Sequence, residues 1–172
     1  MRFALSILRT LSALMISVTL LMFANSMFST LLALRANIEN YSNEMVGLMA
    51  SAYFFGFALG TFQSGPLINR IGHIRTFAAL SAIAAASAMM VLIIPDPWAW
   101  VGLRAIMGAA SAGLFVVVES WLNNRATNNS RGILLSIYIV IGYTASAVGQ
   151  QAIKLGDPAS FGLFLLVGIV LV

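Results

Sequence analysis

A chain of 172 residues in which 60% are hydrophobic and only 8% charged cannot clothe a water-soluble surface, where roughly a quarter of residues are charged. Nine Lys and Arg against five Asp and Glu, with mean hydropathy +0.97 and a pI near 10.1, leave a net +4 spread too thinly for a nucleic-acid-binding patch. Cysteine is absent and histidine occurs once, which excludes thiol catalysis, disulfides and cysteine-ligated metal and leaves little from which to build a membrane enzyme.

A helix needs about 20 apolar residues to cross roughly 30 Å of hydrocarbon. Five stretches meet that length: 11–34, 45–65, 76–94, 98–122 and 133–153. A sixth begins near 159 and is still apolar at Val172. From Phe161 onward it would supply about 18 Å of helix, too little to cross. The spacing therefore predicts one all-α membrane domain, 1–172, cut inside its sixth span. The first stretch also fits a secretory leader, because Arg2 and Arg9 precede it and Ser26 supplies a small residue. Its length and the five spans behind it favour a membrane span.

The connections carry turn residues: Pro66 after Gly65, then Pro95-Asp96-Pro97, then Asn123, Asn124, Asn128, Asn129 and Gly132, and finally Asp157-Pro158. Arg2, Arg9, Arg70, Arg75, Arg125 and Arg131 fall on one side with no acid. Arg35 and Lys154 fall on the other with Glu39, Glu44, Asp96 and Asp157. The positive-inside rule places the first group, and the amino terminus, in the cytoplasm. Trp98 and Trp100 are then expected at the outer interface and Trp121 near the inner one. Asn40-Tyr41-Ser42 and Asn128-Asn129-Ser130 match a glycosylation pattern, but both read better as polar connections.

Within lipid, helices approach closely through small residues at four-residue spacing. Span two carries Ala52, Gly56, Gly60 and Ser64; span four has Gly108–Ala112 and Ala109–Gly113; span five has Gly142, Ser146 and the pair Ala145 and Gly149. Such stripes serve static packing or sliding surfaces, and the pattern alone does not choose between them. Polar residues concentrate in span one (Ser17, Thr19, Asn25, Ser26, Ser29, Thr30) and span five (Ser136, Tyr138, Tyr143, Thr144, Gln150, Gln151). Because buried polar groups need partners or water, spans one, four and five are expected to face a wet interior. Spans three and six, nearly pure aliphatic, are expected at the periphery.

Two ionisable residues lie within the spans, at an insertion cost of about 2.5–3.5 kcal/mol each. Both are on span four. Arg104 sits about 9 Å along the helix from Trp98, and Glu119 about 22 Å beyond Arg104. Arg104, Gly108, Ser111, Phe115 and Glu119 fall on one face. The two charges are too far apart to pair. Arg104 either snorkels or ties helices together, or serves a cavity in anion binding or proton coupling. Glu119 either pairs with a cytoplasmic arginine such as Arg70 or Arg75, or carries a proton.

Gly65-Pro66-Leu67-Ile68-Asn69-Arg70-Ile71-Gly72-His73-Ile74-Arg75 resembles the loop signature Gly-x-Leu-Ala-Asp-Arg-x-Gly-Arg-Lys of the major facilitator superfamily, and stands after the second span as it does there. Arg104 through Gly108 resembles the second signature, Arg-x-x-x-Gly. Val116-Val117-Val118-Glu119-Ser120, with Gly56 and Gly60, is similar to the YcaD-type branch. The resemblance spans the chain and implies the amino-terminal six helices of a twelve-helix bundle. It further implies a secondary transporter of the cytoplasmic membrane that works by alternating access. Helices one and four would line the cavity, two and five the interface between halves, and three and six the periphery. The departures are Asn69 in place of the loop acid and His73 in place of the following arginine, which puts a charged latch in doubt. Gly149-Gln150-Gln151 stands where drug–proton antiporters have Gly-Pro-x-x-Gly-Gly.

The expected site is accordingly Arg104 and Ser111 in the cavity, with Asn25 and Gln150 as candidate solute contacts. Gly65, Asn69, Arg70, Gly72, His73 and Glu119 form the expected cytoplasmic gating region. No metal or cofactor is expected; His73 stands alone and reads as a turn residue. The partners are a small solute, a coupling proton or cation, the lipid bilayer and a carboxyl-terminal six-helix half. A non-transporting membrane assembly subunit is the alternative.

Overall fold

The computed structural model describes residues 2–125 and 131–172, with side chains from 12 to 124 and from 131 onward. The side chains of Arg2, Arg9 and Arg125, the connection residues Asn128 and Asn129, and the Asn128-Asn129-Ser130 pattern lie outside the described residues. Among the described residues six α-helices follow in order: α1 (Arg2–Ile38), α2 (Asn43–Ile71), α3 (His73–Ile93), α4 (Pro97–Arg125), α5 (Arg131–Ala152) and α6 (Gly162–Leu171). A 3-10 turn, Ile153–Leu155, stands between α5 and α6. Among the described residues, five helices are long and apolar enough to cross a membrane, as the spans predicted. The ten residues of α6 extend about 15 Å.

The main correction concerns α2. The Gly65-Pro66 pair does not end it; the helix continues for another turn and a half to Ile71. Pro66 removes one backbone hydrogen bond at an exposed position, while Ile68 beyond it is buried and holds the last turn against the bundle. The stop is Gly72, the single residue between α2 and α3. Its φ of 84° is a conformation that side-chain-bearing residues rarely adopt. Its N–H bonds the Ile68 carbonyl at 2.8 Å and its own carbonyl accepts from the Thr76 hydroxyl at 2.8 Å, so one residue closes one helix and opens the next. The sequence signature read as a loop is therefore a helix end, a one-residue turn and a helix start.

The other connections follow their turn chemistry. Asn40 adopts φ 59°, tolerable for asparagine, as α1 ends. Ser42 caps α2 by accepting from the Met45 N–H. Asp96 caps α4 by accepting from the Ala99 N–H at 2.7 Å.

α1 and α4 run through the middle of the bundle. α2 lies along α4 and α5 along α1, while α3 packs on α4, α6 on α1, and α3 and α6 against each other. Glycines allow the two flanking contacts to be backbone-close. A Cβ at Gly56 would overlap the Ala105 carbonyl, one at Gly60 the Ala109 carbonyl, and one at Gly108 the Tyr53 carbonyl. Gly149 stands likewise against the Phe23 carbonyl. The small-residue stripes of α2, α4 and α5 are thus consumed by packing inside this bundle.

The core draws on α1 (Ala24, Met27, Phe28, Leu31), α3 (Ala84, Ala88), α4 (Met107, Leu114) and α6 (Phe164, Val167), with Phe28 and Phe164 edge to face at 6.1 Å. A leader-peptide reading of the first stretch does not fit a helix so central. Outward-facing Phe55, Phe62, Ile93 and Ile169 are 66–80% exposed, a load of apolar surface suited to lipid. Trp98 faces outward from the bundle, but Trp100 does not. It is buried, packs on Tyr41 at 5.0 Å, and donates its indole N–H to the Ile94 carbonyl at 2.7 Å. The apolar ring fills the gap between the α1–α2 and α3–α4 connections, and its one polar atom is satisfied there.

Candidate functional site

On the side away from α3 and α6, four helices enclose a cavity of about 790 Å³. α1 lends Met22, Asn25, Ser26, Ser29 and Thr30; α2 lends Ala50, Tyr53, Phe54 and Phe57; α4 lends Arg104 and Phe115; α5 lends Tyr143, Ser146 and Gln150. Neither α3 nor α6 lines it, as their composition predicted. The contribution of α2 was not expected. Its apolar sequence showed only one hint, a tyrosine in mid-span whose hydroxyl must find a partner.

Arg104 forms the charged wall of this cavity and is 95% buried, with a relative exposure of 5%. Its guanidinium carbon stands 4.4 Å from the Tyr53 ring centroid and 5.7 Å from that of Phe28. One terminal nitrogen donates to the Ser29 hydroxyl at 3.3 Å and the other approaches the Met107 sulfur at 4.0 Å. Nε has no partner among the described residues. Ring faces attract a cation by about 0.5–2 kcal/mol each, so these contacts hold the group in place. They do not neutralise it. Among the described residues, which include every acid of the chain, the one ion pair is Arg35 with Glu39. A counter-anion at about 4 Å would add about 4 kcal/mol at an effective dielectric of 20, more than either ring contributes. Snorkelling does not describe this side chain, because it is turned inward and covered.

Asn25 stands beside it through a shared neighbour. Its Nδ2 donates to the Tyr53 hydroxyl at 2.8 Å, while its Oδ1 is buried with no partner among the described residues. Tyr53 thus joins the two, its ring under Arg104 and its hydroxyl on Asn25. Ser26 uses its hydroxyl to bond the Ser146 carbonyl at 2.9 Å, which fixes α1 to α5 across the cavity floor. Gln150 is exposed on the cavity wall. The structure therefore brings Arg104, Asn25 and Gln150 to one cavity. Ser111 is not among its lining residues, because its 1% exposure places it inside the helix packing.

A second cavity of about 320 Å³ continues the first toward the α4–α5 end and shares Met22, Phe57, Phe115, Tyr143 and Ser146 with it. Glu119 and Tyr138 line its far part. The Tyr138 hydroxyl donates to Glu119 Oε1 at 3.0 Å. The expected pairing of Glu119 with Arg70 or Arg75 is absent among the described residues; a phenol on the neighbouring helix takes that place. Arg104 and Glu119 thus occupy the two ends of one track, whose wall between them is largely apolar at Met22, Phe57 and Phe115.

The expected gating residues divide. Asn69 and Arg70 are exposed on the last turn of α2, and Gly65 lies in the same helix with open space around it. His73 is not a free turn residue. Its Nε2 lies 3.0 Å from the Ser120 hydroxyl, and its ring stacks parallel to Trp121 at 5.9 Å. Together with Gly72 it fastens the α2–α3 turn to α4 one residue after Glu119. No group of three or more His, Cys, Asp or Glu able to hold a metal occurs among the described residues.

The comparisons agree with this architecture. The family model described as Major Facilitator Superfamily matches residues 14–172. Over 146 residues, 85% of this chain, it is 35% identical to the "Uncharacterized MFS-type transporter Ent638_1421" of Enterobacter sp. (strain 638). It is 34% identical over the same length to the "Uncharacterized MFS-type transporter YcaD" of Salmonella newport (strain SL254) and to that of Salmonella agona (strain SL483). In each case the match covers 38% of the relative's length. No solved structure matches. With membrane-crossing helices packed on glycine, a polar cavity between them and a family match over nearly its whole length, the chain is an integral membrane protein of the Major Facilitator Superfamily, a family of transporters.

Proposed function

We propose that this chain is the amino-terminal half of a secondary active transporter that moves a small solute across the cytoplasmic membrane by alternating access. The observation that carries this reading is the cavity of about 790 Å³ between α1, α2, α4 and α5, with a buried, un-neutralised Arg104 in its wall. A bundle serving only assembly has no need to bury an unpaired cation beside open volume, since that burial costs several kcal/mol. The large apolar side chains exposed on α2 and α5, Phe54 and Tyr143 at the mouth itself, offer the surface on which a second half would close the cavity. The basic residues Arg70, Arg75 and Arg131 support a cytoplasmic position for the α2–α3 and α4–α5 ends, and with them the amino terminus. Of the ionisable groups in this half, Glu119 is the carboxylate on the track and the candidate carrier of a coupling proton.

Because the chain contains no cysteine, single cysteines can report access. In a cysteine-depleted full-length parent protein in sealed vesicles, Ser146→Cys should react with a membrane-impermeant maleimide from either side. Ser87→Cys, buried on α3 away from the cavity, should react from neither. Labelling of Ser146→Cys from one side alone would favour the assembly-subunit reading.

A further inference from the structure

We infer that the solute is a small organic carboxylate whose negative charge is received by Arg104, a specificity that rests on the transporter reading above. Arg104 is 95% buried at the cavity wall, yet the partners of its guanidinium are two aromatic rings, a hydroxyl and a thioether, none of them anionic. Nε remains unpaired among the described residues. A guanidinium presents its donors in a planar fork that matches the two oxygens of a carboxylate.

The second unpartnered buried atom, Asn25 Oδ1, accepts hydrogen bonds only. The two groups are joined through Tyr53. The site thus offers a charged donor and, across one tyrosine, a neutral acceptor. That pair is complementary to a carboxylate that also carries a hydroxyl or amine. Below Arg104 the cavity wall turns apolar at Met22, Phe57 and Phe115, which accommodates a hydrocarbon or aromatic body. A carboxylate contributed by the second half of the protein would have the same chemistry as a solute carboxylate, and the test separates the two.

The experiment is thermal unfolding of the purified full-length parent protein in detergent against millimolar benzoate, phenylacetate and 3-phenyllactate, with the matching amides and sodium chloride as controls. The acids should raise the unfolding temperature, 3-phenyllactate at the lowest concentration. The amides should need about 10- to 100-fold more, the range expected for losing a charge-assisted hydrogen bond. In Arg104→Met the protection should vanish. Ser29→Asp places a carboxylate where the Ser29 hydroxyl now meets the guanidinium at 3.3 Å. It should unfold no lower than the parent protein and also lose the response, so the proposal is tested even if Arg104→Met does not fold. Equal protection by acids and amides, an undiminished response in Ser29→Asp, or no response to any acid would overturn it; the last is what a counter-charge from the second half predicts. Acid-specific protection without uptake into vesicles would leave anion recognition standing and remove the transport reading. Uptake of solutes without preference for acids would do the reverse.

Discussion

Gly56→Ala sets local preference against packing. By helix propensity alone the substitution stabilises, by about 1 kcal/mol. In the fold, however, the new methyl would coincide with the Ala105 carbonyl, which is backbone and cannot rotate aside. α2 and α4 would have to part. The neighbouring close approaches of Gly60 to Ala109 and of Gly108 to Tyr53 and Phe57 would loosen with them. A gap of about 0.5–1 Å forfeits a quarter to a half of each dispersion contact, and overpacking typically costs about 1–3 kcal/mol. After the propensity gain, a net loss of up to about 2 kcal/mol remains. The assay is reversible unfolding of the full-length protein in mixed detergent micelles, with Gly47→Ala and Gly102→Ala as controls. At those two positions a Cβ would meet nothing within 4 Å. The controls should match or exceed the parent protein. If Gly56→Ala proved as stable as they are, α2 and α4 would not cross in backbone contact, and the cavity wall built on Tyr53 would lose its foundation.

Other outcomes follow from single contacts. Gly72→Ala forces a side chain to φ 84° and should cost about 1–2 kcal/mol in the same assay, whereas Gly65→Ala, within a helix and unobstructed, should cost nothing. Tyr53→Phe keeps the ring under Arg104 but strands the Asn25 amide. It should destabilise by about 0.6 kcal/mol, the average for a hydrogen bond between membrane helices, and Tyr53→Leu should cost more because the cation loses its ring. His73→Ala removes the stacking partner of Trp121 and should shift the indole emission; an unchanged spectrum would mean that the α2–α3 turn is not fastened to α4. Glu39→Gln breaks the half-buried pair with Arg35 and should change stability by less than about 1 kcal/mol.

Much of this protein is legible in one dimension, because a bilayer imposes a one-dimensional rule. Each crossing needs a helix of fixed minimum length, so composition alone determines the number of spans, and turn residues fall between them. The polar content of α1 and α5 likewise announced that these two helices line the cavity, since unpartnered polar groups cannot face lipid. Arg104 stood out for the same reason, its insertion cost demanding partners inside the bundle. Where a helix stops was harder to read. Gly65-Pro66 has the form of a break, but the burial of Ile68 carries α2 past it, and only the positive φ of Gly72 ends it.

Partnership belonged wholly to the tertiary structure. Glu119 meets Tyr138 rather than an arginine, His73 meets Ser120 and Trp121, and Ser111 disappears into packing, because each depends on the rotation of one helix against another. Most telling is Tyr53, a residue of an apolar helix that joins Arg104 to Asn25. The sequence by itself determined that a charge stands inside a membrane bundle. Only the close crossing of α2 and α4, set by glycines whose missing side chains let two backbones touch, decided that an aromatic ring would lie beneath it and a cavity open beside it.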